Sequence, residues 1–561
     1  MSERRRTILT LLGVFLGLFL AALDQTIVAT ALPKIVEDLG GVDKYAWVAT
    51  SYLLASTVAV PVFGRLADLV NSRTLLFWAI VVFLLGSALS GLSPTMEALV
   101  GFRALQGLGG GALYAVAVTI IGLLIPPRER GRFQGAFGAV FGVASIVGPW
   151  LGGLLTDHLS WRWVFYINMP VGAVALWFIW RFMPSVPPRS RHRFDYLGAL
   201  LLVAWTVPLL LALSLGGTTW GWTSPQELLL FAAAALGLAL FVWVETRVPE
   251  PLFDLSLLKN PVFRWAAAAL FFFGPAFLSA MFFLPLYLIE VKGISATHSG
   301  LTLVPLTFGA IAGSIAGGQL ASRTGRYKPY MVAGNLWLLL NFLAMHYLLD
   351  LDTPLWLVLL LMTSMGLGLG PSMPLYTLAV QNSVEPERMG TASSATQFFR
   401  QIGSTLGTAL LGAVLAASLQ SAIQRHLPPG AEAGNFSLRD PTAITKSFEQ
   451  SEAELLKTLE RALAGDPEAV QALKENPLIP EDWKRMLGRP VPDAMREKVL
   501  EKAKAAIQRR LSELKKEMKA ALDQAIVVAI KKVYLYGAGF VLLAFFFTLL
   551  IPDAELRSRR A

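Results

Sequence analysis

The chain contains no cysteine and few charged side chains. Among its 561 residues there are only 5 His, and 15% are Asp, Glu, Lys or Arg, against roughly 25% in soluble proteins. The absence of Cys excludes disulfides and thiolate metal sites. There is no G-x-x-x-x-G-K-[ST] loop for nucleotide phosphates and no nucleophile–base arrangement. The sequence therefore predicts no enzyme activity, no metal and no cofactor.

Long apolar runs dominate the chain, which is 55% hydrophobic with a mean hydropathy of +0.56. Repeated runs of about 18 or more apolar residues predict a multi-pass, all-α membrane protein. The first run exceeds about 20 residues, too long for the core of a signal peptide, so we expect it to be retained. Fourteen membrane spans are predicted, at 7–31, 46–64, 74–92, 97–125, 133–155, 162–183, 196–215, 226–244, 264–289, 299–321, 330–349, 355–379, 390–418 and 526–551.

The basic residues fall mainly on one side of the predicted spans, although the net charge of +10 alone could indicate a nucleic-acid partner. The short loops of the other side carry only Lys34, Lys44, Arg162 and Lys292. Because basic loops stay in the cytoplasm, both termini are predicted to be cytoplasmic, in the cell (inner) membrane. Topology explains most of the charge, so no nucleic-acid partner is expected. The basic side carries Arg4, Arg5, Arg6, Arg65, Arg73, Arg128, Arg130, Arg132, Arg189, Arg191, Arg193, Arg323, Arg326 and Lys328.

A charged stretch at 419–525 is predicted to be a helical insertion outside the membrane, between the last two spans. Helical spacing of apolar residues predicts helices over 448–464 and 493–525. No Pro or Gly interrupts residues 493–536, so the second helix is expected to continue into the last span. The insertion either packs on itself as a small bundle or receives a partner or lipid. Its apolar stripe is Met495, Val499, Ala503, Ile507, Leu511, Leu514, Met518 and Leu522.

Two motifs occur twice in the chain. "GRLADLVNSR" begins at Gly64 and "GQLASRTGRY" at Gly318, while "PPRERG" ending at Gly131 parallels "EPERMG" ending at Gly390. The copies lie eight spans apart, which predicts two six-helix halves separated by two extra helices. Such repeats hold a substrate cavity between them and rock against each other. The predicted divisions are a first half at 1–190, linker helices at 191–260, a second half at 261–418, the insertion at 419–525, and a last span with its tail at 526–561.

Five segments in order carry a resemblance to a known family: "LDQTIVATALP", "GRLADLVNSR", "RALQGLGGGA", "GVASIVGPWLGG" and "WRWVFYINMPVG". The chain resembles the fourteen-helix drug:proton antiporter branch of the major facilitator superfamily. The resemblance covers all fourteen spans and fails only across the insertion. It implies a major-facilitator fold and an antiporter that exports lipophilic, cationic compounds in exchange for protons by alternating access.

Asp24 and Arg103 are predicted to form a buried pair in the first half. Each lies on the order of 10–13 Å below the outer surface, counted along its helix. A charge at the bilayer centre is costly and rarely idle, and an acid beside a guanidinium can gain and lose a proton as the cavity changes face. Gln106, one turn from Arg103, is expected to orient it. The resemblance assigns the acid and the arginine to coupling and cation recognition. The alternative is a static ion pair.

Asp68 is predicted to act as a gate at the cytoplasmic end of the second span, in the motif that opens at Gly64. In the resembling family this loop is a latch, and its acid pairs with arginines and a helix end. The second copy has Ser322 in place of the acid, so any latch is one-sided. The alternative is an ordinary solvated loop. The candidate partners are Arg73, Arg128, Arg130 and Arg132.

The fifth span carries small residues four apart, Ala144, Gly148 and Gly152, which favour close helix contact. Pro149 removes a backbone hydrogen bond and permits a bend. In the resembling family this motif is associated with antiporters.

Polar residues in the thirteenth span are candidates for the cavity wall. Arg400 lies near mid-membrane with Gln397 and Gln401 beside it, and Tyr52 of the second span could join them. The polar stripe could equally be a hydrogen-bonded helix contact.

Two other functions remain open. An exporter of a native lipid or glycolipid would use the insertion to receive its cargo. A receptor or scaffold would depend on the insertion and have no need of Asp24. For the leading function we expect a monomer whose partners are a lipophilic small molecule, protons and the lipid bilayer.

Overall fold

The computed structural model describes residues 2–41, 44–188, 193–217, 219–294, 303–426, 454–462, 466–476, 479, 484–485 and 493–556. These ranges form helices, with isolated bridges but no β-strand. The all-α prediction is confirmed.

In the described parts of the first half and the linker there are nine helices, two of which share one span. They are α1 Glu3–Leu39, α2 Tyr45–Leu69, α3 Ser72–Gly91, α4 Met96–Leu124, α5 Pro127–His158, α6 Trp163–Tyr166, α7 Asn168–Phe182, α8 Tyr196–Leu215 and α9 Pro225–Glu245.

The remaining named helices run to residue 550. They are α10 Pro261–Leu286, α11 Val304–Thr324, α12 Lys328–Leu348, α13 Leu355–Ser383, α14 Met389–His426, α15 Pro467–Glu475 and α16 Asp493–Leu550. A π-helical turn, Tyr287–Val291, ends α10, and 3-10 turns precede α10 and α14 at Leu255–Lys259 and Pro386–Arg388.

Within the described residues, fourteen helical segments are long and apolar enough to cross a membrane. Each overlaps one predicted span, and α6 and α7 together form the sixth. The protein is a multi-pass membrane protein.

Polar residues at the start of several spans cap their helices. Asn71 accepts a hydrogen bond from the Arg73 amide at 3.0 Å before α3, and Asn260 accepts one from the Val262 amide at 3.0 Å before α10. Such caps satisfy amides that have no partner within the helix.

The chain divides into two compact units, Met1–Val414 with Ile530–Ala561, and Leu415–Ala529. In the second unit, helical residues 454–462 lie within the predicted 448–464 helix; residues 448–453, 463 and 464 lie outside the described ones. Asp466 caps α15 and pairs with Arg461 at 2.6 Å, and this contact lowers the pKa of Asp466.

The predicted unbroken helix is confirmed, since α16 is continuous over 58 residues. Of its predicted apolar stripe, the side chains of Met518 and Leu522 are described and partly buried. The other six stripe side chains lie outside the described ones.

The repeated motifs meet across the first unit. We define the inner end as the end of the bundle at the α2–α3 and α4–α5 connections. There, a Cβ on Gly390 would collide with the Gly64 carbonyl, and a Cβ on Gly318 would collide with the Gly131 carbonyl. The motif that begins at Gly64 therefore packs against the one that ends at Gly390, and the motif that begins at Gly318 packs against the one that ends at Gly131. Glycine permits this contact because it has no Cβ.

Candidate functional site

Asp24 and Arg103 form a buried ion pair between α1 and α4. Their side chains are 0% and 2% exposed, and Arg103 Nη1 donates to Asp24 Oδ2. Depth counting from the sequence placed both residues at one level, and the structure brings them into contact. Burying two charges costs several kcal/mol per ion unless hydrogen bonds satisfy them.

Two side-chain amides form further hydrogen bonds with the ion pair. Gln106 Nε2 donates to Asp24 Oδ1 at 2.7 Å, and Gln106 Oε1 accepts from Arg103 Nη1 at 2.8 Å. Gln106 thus contacts both partners. Asn168, which the sequence analysis did not identify, donates to Asp24 Oδ1 at 3.3 Å and to Ser87 Oγ at 3.0 Å. We call Asp24, Arg103, Gln106 and Asn168 the carboxylate cluster.

Aromatic rings and a glycine run enclose the carboxylate cluster. The Tyr52 ring lies 4.5 Å from the Arg103 guanidinium carbon, within cation–π range. A Cβ on Gly107 or Gly110 would collide with Tyr52, so the glycines of "RALQGLGGGA" allow α2 to approach α4. Tyr52 is 1% exposed. Its ring therefore packs against the carboxylate cluster.

The "GVASIVGPWLGG" motif packs α5 directly against the segment of α1 that carries Asp24. Thr26 Oγ1 donates to the Ala144 carbonyl at 3.0 Å. A Cβ on Gly148 would lie 2.8 Å from Thr26 Cβ, and one on Gly152 would lie 2.8 Å from the Ile27 carbonyl oxygen. Pro149 lies within α5. The small residues thus fix the position of α1 one turn from the acid.

Asp68 binds a helix end, and its partners differ from the predicted arginines. Its Oδ1 accepts from the Gly390 amide at 2.9 Å, and its Oδ2 accepts from the amide and hydroxyl of Thr391, each at 2.8 Å. A carboxylate at a helix N-terminus satisfies free amides and complements the helix dipole. Asp68 therefore joins α2 of the first half to α14 of the second at the inner end.

The arginines predicted for Asp68 require a correction. Arg73 donates to the Trp180 carbonyl, and Arg130 Nε donates to the Ile125 carbonyl at 2.9 Å. Arg65, one turn before Asp68, is the arginine whose charge acts on it. The side chain of Arg128 lies outside the described ones.

Further contacts at the inner end are uncharged. Ser314 Oγ on α11 donates to the Gly135 carbonyl on α5 at 3.1 Å, and Gln381 Nε2 on α13 donates to the Val118 carbonyl on α4 at 3.2 Å. The two halves therefore contact each other at this end.

Arg400 lies on α14, partly buried. Its Nε donates to Gln397 Oε1 at 2.9 Å, and its guanidinium carbon lies 5.9 Å from the Phe277 ring centroid on α10. Gln401, the next residue, has a buried Oε1 without a hydrogen-bond partner in the described part of the chain. The polar stripe thus includes both a side-chain contact within α14 and unpaired polar groups.

The described residues hold no group of three or more His, Cys, Asp or Glu side chains that could bind a metal.

Comparisons with known proteins match most of the chain. A family model described as Major Facilitator Superfamily matches residues 14–408. The multidrug transporter protein MdtP of Bacillus subtilis (strain 168) is 41% identical over 428 residues, 76% of this chain and 79% of the relative. Multidrug resistance protein 3 of the same organism is 39% identical over 413 residues, 74% of this chain and 80% of the relative.

A solved structure shares the fold. The human organic anion transporter MFSD10 (TETRAN) aligns with a TM-score of 0.55 at 17% identity, covering 74% of this chain and 94% of that one. The unit Leu415–Ala529 lies beyond the family match, which ends at residue 408.

Proposed function

The chain belongs to the major facilitator superfamily, so it is a transporter and not an enzyme, and we propose that it exports lipophilic, cationic compounds in exchange for protons. The relatives' names, multidrug transporter and multidrug resistance protein, support drug efflux. The observation that carries the proton-coupled part is the carboxylate cluster. It places a fully buried acid in direct contact with a buried guanidinium.

Protonation of Asp24 would change the balance of forces in the cluster. A neutral Asp24 leaves Arg103 as an unpaired buried charge, and removing one partner of such a pair costs about 3–5 kcal/mol. The cluster then favours a rearrangement that gives Arg103 a new partner or water. Because α5 packs on α1 at Thr26 and Ile27, a shift of α1 would extend to α5.

The inner-end contacts supply the second part of the mechanism. In one state the inner end would be held closed by the contact of Asp68 with α14 and by the Gly64–Gly390 and Gly131–Gly318 contacts. In the other state these contacts would separate. A proton gradient supplies enough energy for this cycle, since one charge moved through about 100 mV is worth about 2.3 kcal/mol. Asp68 thus serves as a one-sided gate.

The remaining assignments complete the proposal. The basic inner loops support cytoplasmic termini, and the proposal includes a location in the inner membrane and function as a monomer. The halves are 1–190 and 261–418, and the linker helices are 191–260. The insertion is 419–525, and 526–561 is the last span with its tail.

Substrate-induced proton release from proteoliposomes tests the function, with wild type compared to Asp24→Asn. We expect the wild type to release protons when ethidium is added and the variant to lose this release while remaining folded. Glu37→Gln, on the same helix but with a side chain 70% exposed, is the matched control and should behave as wild type. Undiminished proton release by Asp24→Asn would remove Asp24 from the coupling mechanism.

A second candidate is an exporter of a native lipid or glycolipid. One observation favours it: the unit Leu415–Ala529 lies beyond the family match that ends at residue 408. The unit is then an addition to the transport machinery, and a lipid cargo would give it a role. Such an exporter would change envelope composition without lowering dye accumulation.

A further inference from the structure

Arg400 carries a positive charge that no carboxylate neutralises within the described residues. Its protein partners are the uncharged Gln397 amide and the Phe277 ring, and the phenol of Tyr114 is close enough to interact with it electrostatically. Arg103, in contrast, is buried and pairs with Asp24. A carboxylate therefore neutralises Arg103, whereas none among the described residues neutralises Arg400, which leaves Arg400 available to bind an anion.

Arg400 lies where the two halves face each other. It is on α14 of the second half, while Tyr114 is on α4 of the first. Arg400 is about 11 residues from the inner end of α14 and Tyr114 about 10 from the inner end of α4, so both lie about 15 Å along their helices. A shared cavity between parallel repeats is expected at this level.

An aromatic surface adjoins the charge. The Tyr114 ring lies 5.2 Å from Phe137 and 6.2 Å from Phe141, and those two rings lie 5.5 Å apart. We call Tyr114, Phe137, Phe141 and Phe277 the aromatic wall. A guanidinium beside aromatic rings suits a lipophilic compound that carries a planar anion, because arginine binds carboxylates with two parallel hydrogen bonds.

We propose that Arg400 binds a carboxylate on the exported compound, so that the preferred substrates are lipophilic molecules carrying both a cationic group and a carboxylate. This inference rests on the proposed function and narrows its substrate class. A purely cationic compound such as ethidium leaves Arg400 without an anionic partner and its binding is weakened by repulsion from that charge, so we expect it to be a poorer substrate than one that also carries a carboxylate. A carboxylate on the same molecule removes that repulsion and gives Arg400 its missing partner.

Binding of two matched dyes to the purified protein tests the inference. Rhodamine B carries a cationic ring system and a carboxylate, and its ethyl ester keeps the cation but lacks the carboxylate. We expect wild type to bind rhodamine B more tightly than the ester in fluorescence polarisation. Arg400→Gln should weaken rhodamine B by roughly 10- to 100-fold, the range for a hydrogen bond to a charged group, and should leave the ester unchanged or tighter.

Two further variants keep the test decisive. Arg400→Lys retains the charge without the fork of donors and should keep part of the preference, even if Arg400→Gln fails to fold. Arg247→Gln removes an exposed arginine stacked on Trp243 at 4.4 Å and should bind both dyes as wild type does.

Equal weakening of both dyes by Arg400→Gln would overturn the inference and make Arg400 a packing residue. Tighter binding of the ester by wild type, or no binding of either dye, would also overturn it. The measurement uses no proton gradient, so its result is separate from the proposed coupling. Failure of the proposed function would appear instead as transport that does not respond to the gradient.

Discussion

Asn168 connects the carboxylate cluster to α3 through Ser87, and its replacement by Ala should weaken both stability and coupling. The substitution removes one hydrogen bond to the Asp24 carboxylate and one to Ser87 Oγ. A hydrogen bond to a charged group contributes about 1.5–3 kcal/mol. We expect the free energy of unfolding, measured by thermal unfolding of the purified protein, to fall by about that amount. We also expect proton-coupled transport to be slower.

Asn341→Ala is the matched control for Asn168→Ala. The Asn341 amide donates to the Trp337 carbonyl of its own helix at 2.8 Å and has no part in the carboxylate cluster. It should leave proton coupling intact. Coupled transport at the wild-type rate by Asn168→Ala would remove Asn168 from the functional site and leave it a structural residue.

Single residues show what the sequence could predict about the site. Asp24 and Arg103 could be paired because each lies on one regular helix, where depth follows from counting residues. Asn168 could not be placed this way, since it follows the break between α6 and α7, although it lies in "WRWVFYINMPVG". The arginines predicted as partners of Asp68 were wrong, whereas the helix end that the resemblance implied is its partner. The sequence alone could not identify that helix end, because backbone amides leave no mark in a sequence. The glycine before Thr391 in "EPERMG" was the available signal.

The contact between α1 and α5 depends on residues without side chains. A Cβ on Gly152 would lie 2.8 Å from the Ile27 carbonyl oxygen and would collide with the Thr30 hydroxyl. Overpacking of this kind costs about 1–3 kcal/mol. We expect Gly152→Ala to lower the melting temperature and to reduce transport, because it displaces the part of α1 next to Asp24.

Gly153→Ala provides a control one residue away on the same helix. A Cβ at Gly153 would meet nothing within 4 Å, so this variant should keep wild-type stability and transport. The two variants have the same composition and nearly the same depth. Ala favours a helix more than Gly does, so an equal loss of stability in both variants would contradict α1–α5 packing as the cause.

Among elements, length and composition decided which predictions succeeded. The fourteen spans could be predicted because each is a long apolar run. The continuity of α16 could be predicted because no Pro or Gly occurs from Asp493 to the residue before Gly537. The π-helical turn at Tyr287–Val291 was not predicted. It follows Pro285, which lacks an amide and disturbs the regular hydrogen-bond pattern. Such local departures depend on packing that the hydropathy pattern does not encode.

At the scale of the whole molecule, the internal repeat becomes a set of contacts between halves. Gly64 contacts Gly390 and Gly318 contacts Gly131. In each contact, the motif after a span of one half packs against the first turns of a helix in the other half. The charge is not repeated, because Asp68 faces Gly390 and Thr391 whereas Ser322 replaces the acid in the other copy. The glycine contacts are thus nearly symmetric, while the carboxylate that binds helix amides is present in the first copy of the motif and is replaced by Ser322 in the second.

Replacement of residues 427–492 by a Gly/Ser linker of equal length separates the functions that remain open. All residues of the carboxylate cluster, the Asp68 contact and the aromatic wall lie in the unit Met1–Val414 with Ile530–Ala561. The replacement keeps α14 to His426 and α16 from Asp493. If the exporter needs only the first unit, the variant should export ethidium at close to the wild-type rate from loaded vesicles, and Asp24→Asn in that background should abolish proton coupling.

The same variant gives different results under the alternatives. For a lipid exporter that receives cargo at the insertion, envelope lipid composition should change in cells that carry only the variant, whatever happens to ethidium. For a receptor or scaffold, the variant should lose all function while Asp24→Asn in the full chain has no effect. Retained dye export together with an altered envelope would mean that one transport cycle, driven by Asp24, serves two cargoes, and that the second unit selects only one of them.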